Sequence, residues 1–253
     1  MNLKDTVAVV TGGGTGIGAA VGEALATAGA RGVVVGYSRS ADDAEATAER
    51  LRGLGCDAIA ARADVADEAA VREMAAAALD RYGRVDVLVN NAGTTRFIPF
   101  PDLDALTPEV WNEILSVNVI GAFTCSRVLG PALKEARGAI VNVASVAGLR
   151  AAGSSLAYGV SKAAMLQLTR GLAEALAPEV RVNSVAPGLV ATRWFDRLGP
   201  EALDKASERQ NRQSPLQATA QPEHVAQAIM AFLTTDMVTG ECLVVDAGKH
   251  LRY

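Results

Sequence analysis

The sequence predicts an α/β fold: a single Rossmann-type doubly wound parallel sheet of about seven strands, with helices on both faces. Two observations carry that expectation. Short apolar, β-branched runs alternate with Ala/Glu/Arg-rich stretches of helical spacing from one end of the chain to the other. The first run, Val7–Val10, passes into a helix through a glycine-rich turn, Thr11-Gly12-Gly13-Gly14-Thr15-Gly16-Ile17-Gly18. Apolar runs without polar alternation belong to strands covered on both faces, which is the condition of a parallel sheet.

The expected strands are Val7–Val10, 32–35, 58–61, 85–89, Ala139–Val143, 180–185 and Cys242–Val245. Helices are expected at 19–28, 41–54, 67–82 and Leu156–Leu176. Ser40 with Asp43 reads as a cap and first-turn acid, and Gly53 and Gly55 stop that helix. Thr107-Pro108-Glu109 combines a cap, a first-turn proline and a favourable charge. Gly130-Pro131 should bend the long helix that follows. No linker, repeat or low-complexity tract interrupts residues 1–253, so one domain is expected. Residues 188–222 are less regular, and their place after a strand's carboxyl end suits a substrate cover.

Half of the 253 residues are hydrophobic, enough for a sizeable core. A net charge of −4 leaves no electrostatic footprint for nucleic acid or an anionic membrane. Cys56, Cys125 and Cys242 are scattered, without metal-ligand spacing, so neither a metal site nor a disulfide framework is expected. A strand begins within ten residues of Met1, leaving no room for a signal peptide, and no apolar run is expected to reach the length of a membrane span. A soluble, cytoplasmic protein is the expectation.

A glycine turn between strand and helix lets a diphosphate approach the backbone, and the helix N-terminus offers free N–H groups. Further along, Tyr158 and Lys162 stand one helical turn apart on one face. A phenol is only about one part in a thousand ionised at pH 7, and a neighbouring ammonium favours its phenolate, so the pair suits proton transfer. Ser145 follows the strand Ala139–Val143, and Asn118 sits mid-helix, where an amide is a poor helix former. Asn90-Asn91-Ala92-Gly93 and Pro187-Gly188 end two more strands. All of these fall on the sheet edge that carries the glycine turn, where ligands bind in open α/β sheets.

In this order and spacing, the glycine turn, Asn90-Asn-Ala-Gly93, Asn118, Ser145, Tyr158-x-x-x-Lys162 and Pro187-Gly188 resemble the short-chain dehydrogenase/reductase family from about Thr6 to Gly248. Within it, the chain looks most like the 3-oxoacyl-carrier-protein reductase and glucose dehydrogenase branches. The resemblance implies that Tyr158 exchanges a proton with the substrate oxygen while a nicotinamide exchanges a hydride. Lys162 is implied to bond the nicotinamide ribose and lower the Tyr158 pKa, Ser145 to hold the substrate oxygen, and Asn118 to hold a water on the proton path. Gly12, Thr15, Gly16, Ile17 and Gly18 would form the diphosphate turn, and Asp64 and Val65 the adenine contact. Asn90 would tie the central strands together. Asn91, Ala92 and Gly93 would line the adenosine side, and Pro187, Gly188, Val190 and Thr192 the nicotinamide side.

The second strand ends Val35-Gly36-Tyr37-Ser38-Arg39, without the acid that commonly bonds a ribose 2′-hydroxyl. Ser38 and Arg39 suit a 2′-phosphate instead, so NADP(H) is preferred, with NAD(H) the alternative. The expected activity is NADPH-dependent interconversion of a carbonyl and a secondary alcohol. The alternatives are an NAD-dependent sugar, steroid or hydroxy-acid dehydrogenase, or a non-catalytic redox sensor. Phe97, Trp194 and Phe195 suggest an apolar substrate wall, and Arg96, Arg193 and Arg197 a contact for an anionic group. Asp246-Ala247-Gly248 departs from the family's usual pair of glycines, which suggests looser packing, and the tail from His250 is placed to reach a neighbouring subunit. The partner set is a small-molecule substrate and other copies of the chain, in a homotetramer or homodimer, with no nucleic acid and no membrane.

Overall fold

The computed structural model describes residues 1–199 and 201–252, omitting the side chains of residues 195–197. The described residues form one seven-stranded sheet in the order β3-β2-β1-β4-β5-β6-β7, parallel throughout. The strands are β1 (Val7–Val10), β2 (Gly32–Tyr37), β3 (Asp57–Arg62), β4 (Val87–Asn90), β5 (Ala139–Val143), β6 (Arg181–Pro187) and β7 (Cys242–Val245). The expected α/β fold is observed. β4 starts two residues later than its apolar run, because Asp86 turns its carboxylate to Val7 N (2.9 Å) and to Arg84.

The helices are α1 (Gly16–Thr27), α2 (Ala41–Gly53), α3 (Glu68–Tyr82), α4 (Pro108–Leu115), α5 (Ala122–Ala136), α6 (Leu156–Leu176), α7 (Ala202–Gln213) and α8 (Pro222–Thr234). On one face, Leu25, Leu51, Ile229 and Leu233 of α1, α2 and α8 pack on the sheet at Ala8, Val10, Val33 and Val141. On the other face, Met74, Leu129, Leu133 and Leu172 of α3, α5 and α6 cover Val9, Leu88 and Ile140. Each large apolar side chain removed from water contributes about 1.5–3 kcal/mol, which is why the apolar runs become the sheet.

Three local expectations change. Ser40 takes the N-cap position of α2, but its hydroxyl makes no cap bond. The irregularity in the long helix is a π turn at Ser116–Gly121, and Pro131 lies within α5 downstream of it. An inserted residue of this kind re-aims side chains locally, and here it turns Asn118 fully inward. Gly121 in that turn packs so closely on Val65 that a Cβ would lie 2.6 Å from Val65 Cγ2. Finally, the helical stretch Pro108–Ala136 is, by length and composition, long and apolar enough to cross a membrane, against expectation. Half of its most apolar window is buried inside the fold.

β1 lies between β2 and β4, so the chain runs outward in both directions from the β1–β4 pair. The loops after these two strands therefore diverge and open a crevice at their carboxyl ends.

Candidate active site

The glycine-rich turn forms one wall of that crevice. Gly12 and Gly16 hold φ of +62° and +53°, and a Cβ on Gly18 would collide with Gly12 O. Side chains at these positions would fill the cradle or strain it. Across the crevice, Asn91 Nδ2 donates to Thr11 O (3.0 Å) and Gly12 O (2.9 Å). Thr11 Oγ1 accepts from the backbone N–H of Asn91 and Ala92, both at 3.0 Å. These bonds hold the β1 and β4 exits together. The Thr15 hydroxyl at the head of α1 makes no cap bond, and the helix N-terminus faces a cleft of ≈ 1870 Å³.

All of the expected cofactor residues except Gly18 line this cleft, from Gly12 and Thr15 through Ser38, Arg39, Asp64 and Val65 to Val190 and Thr192. Gly18 shapes it from behind. Asp64 accepts from Ala66 N (3.0 Å), while Asp67 is the residue that caps α3. A cradle too tight for a Cβ, an uncapped helix start and a cation at the β2 exit together fit a nicotinamide dinucleotide.

Asn90 Nδ2 donates to Asn142 Oδ1 (2.9 Å) on β5 and Ser126 Oγ (3.1 Å) on α5. Asn142 Nδ2 in turn donates to Thr169 Oγ1 (2.9 Å) on α6. This buried chain fixes α6 against the central strands. Asn118 completes the anchorage. Its Oδ1 accepts from Thr94 N (2.7 Å), and its Nδ2 donates to Thr94 O (3.0 Å) and Ser161 Oγ (2.9 Å). The side-chain amide is thus committed to clamping the β4 exit onto α6, and Asn118 does not itself line the cleft.

Ser145 caps a short 3-10 turn, Val146–Gly148, by accepting from Ala147 N (3.1 Å). Its hydroxyl also donates to Pro187 O (3.5 Å) and lowers the neighbouring Tyr158 phenol's pKa. Lys162 is 4% exposed, donates to Val143 O (2.7 Å), and holds its Nζ 5.7 Å from the Tyr158 ring centroid. Burial pushes the Tyr158 phenol up to about 12, with Ser145 pulling the other way. Burial also holds Lys162 down at about 8. The expected lowering of Tyr158 by Lys162 is not among the influences on the phenol: burial, which disfavours the phenolate, is the largest and Ser145 opposes it.

The segment after β6 lies against this set. Val190 bridges Ala220 in parallel, a 3-10 turn spans Arg193–Leu198, and α7 follows. The Trp194 ring lies 6.1 Å from that of Tyr158, tilted by 52°. Phe97 also lines the cleft, whereas Phe195 and Arg197 lie outside the described side chains. Of the arginines expected to meet an anion, Arg96 pairs with Glu113 (2.8 Å) and Arg193 with Asp43 (2.7 Å).

The cations that the sequence reading missed are Arg209, Lys249 and Arg252, which line the cleft. Ala206, Arg209, Gln210 and Gln213 all face it from α7, and their i, i+3, i+4, i+7 spacing was the available signal.

The segment after β7 is not loosened by its departure from two glycines. Ala247 adopts φ +58°, and the buried Asp246 carboxylate accepts from Gly248 N (2.9 Å), His250 N (2.7 Å) and His250 Nδ1 (2.8 Å). Asp246 O accepts from the fully buried Gln210 amide (2.9 Å), and His250 O from Arg150 (3.1 Å). Lys249–Arg252 form a 3-10 turn in which Leu251 is exposed; Tyr253 lies outside the described residues.

This fold and this site define a short-chain dehydrogenase/reductase, and the chain belongs to that family. Residues 12–250 match the family model described as enoyl-(acyl carrier protein) reductase. A Streptomyces violaceoruber protein named as ketoacyl reductase 2 of the granaticin polyketide synthase is 46% identical, over 97% of this chain and 96% of its own. The 3-oxoacyl-[acyl-carrier-protein] reductase of Synechocystis is 37% identical, over 97% of both chains. Among solved structures, 7α-hydroxysteroid dehydrogenase with NADH and 7-oxoglycochenodeoxycholic acid superposes with a TM-score of 0.89 at 30% identity, covering 98% of this chain and 96% of that one. The chain is accordingly an oxidoreductase of this family.

Proposed function

We propose that the chain is a cytoplasmic, NADPH-dependent reductase of 3-oxoacyl thioesters, its single domain carrying residues 188–222 as a substrate cover. The observation that carries this reading is the convergence of Ser145, Tyr158 and Lys162 on one cleft, with Lys162 Nζ 5.7 Å from the Tyr158 ring centroid. NADPH, when bound, supplies the hydride that adds to the carbonyl carbon. Ser145 donates a hydrogen bond to the carbonyl oxygen as charge develops there. Tyr158 delivers its phenolic proton to that oxygen, completing the alcohol. A phenol at about 12 remains protonated at neutral pH and so suits the reductive direction. Lys162, charged below about 8, stabilises the phenolate left behind and meets the nicotinamide ribose.

Asn118 acts by holding α6, and with it Lys162, against the β4 exit. The glycine turn and the start of α1 hold the diphosphate, Ser38 and Arg39 the 2′-phosphate, Asp64 and Val65 the adenine, and Asn91, Ala92 and Gly93 the adenosine side. Pro187, Gly188, Val190 and Thr192 hold the carboxamide side. A homotetramer is consistent with the exposed apolar side chains Ile120, Phe123, Leu156 and Val160 on the long helices. The NADH-bound steroid dehydrogenase favours one second reading, an NAD-dependent dehydrogenase.

Titration with NADPH and NADH, followed by turnover on 3-oxoacyl, enoyl and steroid substrates, tests the proposal. Tighter NADPH binding with 3-oxoacyl reduction is expected. Tighter NADH binding, or turnover confined to enoyl or steroid substrates, overturns it.

A further inference from the structure

Arg193 and Asp43 form an ion pair between segments 150 residues apart, with Arg193 Nη2 2.7 Å from Asp43 Oδ2. Arg193 opens the 3-10 turn of the cover, and Asp43 sits in the first turn of α2, four residues beyond Arg39. Both flanks of the pair rest against the glycine-rich turn. On the cover side, a Cβ at Gly16 would lie 3.2 Å from Thr192 Cγ2. On the α2 side, a Cβ at Gly14 would lie 3.0 Å from Ala44 N. The pair thus runs from one flank of the dinucleotide groove to the other, and both residues line the cleft.

Asp43 opposes the function proposed for its neighbours. A carboxylate that lines the same cleft as Ser38 and Arg39 repels a phosphate held by them, and a phosphomonoester carries about −1.5 to −2 charge near neutral pH. We propose that Arg193 is a specificity residue for 2′-phosphorylated cofactors: it neutralises Asp43 while strapping the cover across the groove. This rests on the NADPH reading above. The partners' side chains are 58% and 37% exposed, so solvent screens the pair and its effect on binding is modest.

The test measures dissociation constants by calorimetry for wild type, Arg193→Gln, Asp43→Asn and the double variant. The ligands are NADPH, NADH, adenosine 2′,5′-bisphosphate and 5′-AMP. Arg193→Gln is expected to weaken NADPH and the bisphosphate about three- to tenfold, with NADH and 5′-AMP little changed. The double variant should recover NADPH binding, since the unmasked charge is gone. Equal weakening of both cofactors, or no recovery in the double variant, overturns the inference and leaves the NADPH reading standing. Wild type binding NADH more tightly than NADPH refutes that reading, and the inference with it.

Discussion

Replacing Lys162 with methionine isolates the cost of keeping a cation inside this site. The ammonium is 4% exposed and held at about 8, against 10.5 for a free lysine. Between those values the unfolded chain binds a proton that the folded chain does not, so wild-type stability rises with pH through that window. Each pH unit there is worth about 1.4 kcal/mol, giving a gain of about 3 kcal/mol from pH 8 to 10.5. Lys162→Met lacks this gain. At pH 7 the variant escapes the burial penalty but leaves Val143 O without its 2.7 Å donor, a loss of about 1–3 kcal/mol. The two effects nearly offset at pH 7. Urea unfolding of both proteins at pH 7 and pH 10 reads the difference, and other titrating groups, common to both, cancel. Wild type should gain about 2–3 kcal/mol on the variant between the two pH values. A wild-type-minus-variant difference that does not change with pH would refute the burial account.

Tyr158→Phe should bind NADPH within about twofold of wild type yet reduce ketones about 10²–10⁴-fold more slowly, by fluorescence titration and stopped-flow kinetics. Reduction by the wild type should fall as pH rises through about 8, where Lys162 loses its charge; a flat pH–rate profile from 7 to 9 would remove Lys162 from proton transfer. Asn118→Ala leaves both Thr94 backbone groups and Ser161 without the clamp, at about 2–4 kcal/mol by urea unfolding. Asp246→Ala should speed hydrogen exchange in α7 and the tail relative to β1 and β4, and unchanged exchange would show that its carboxylate does not hold that corner.

The strands were legible because they are local in character. An apolar run such as Ala139–Val143 must find cover on both faces, and its boundaries in the structure are those of the run itself; Cys242–Val245 keeps its bounds too, at the sheet edge, with Leu243 exposed. The glycine turn and the Tyr158–Lys162 pair were legible for a related reason: backbone freedom and one-turn helical spacing are written into neighbouring residues. α7 was less legible, since it is a polar helix whose cleft-facing stripe contains two glutamines and an arginine in place of apolar residues.

What the sequence by itself determined, then, is the sheet, the sheet edge that carries the site and the residue types available for proton transfer. Tertiary structure decided how those residues are partnered. Asn118 meets Thr94 and Ser161 only because a π turn aims it inward, and Arg193 meets Asp43 only once the cover folds back over α2. Asp246 becomes a buried anchor, where looser packing was expected, because His250 and the backbone N–H of Gly248 return to its carboxylate. The ionisation of Tyr158 and Lys162 likewise follows from burial, which no spacing along the chain encodes. Periodicity records what a residue needs from its neighbours in sequence, whereas desolvation and long-range pairing depend on distances that exist only after the chain has folded.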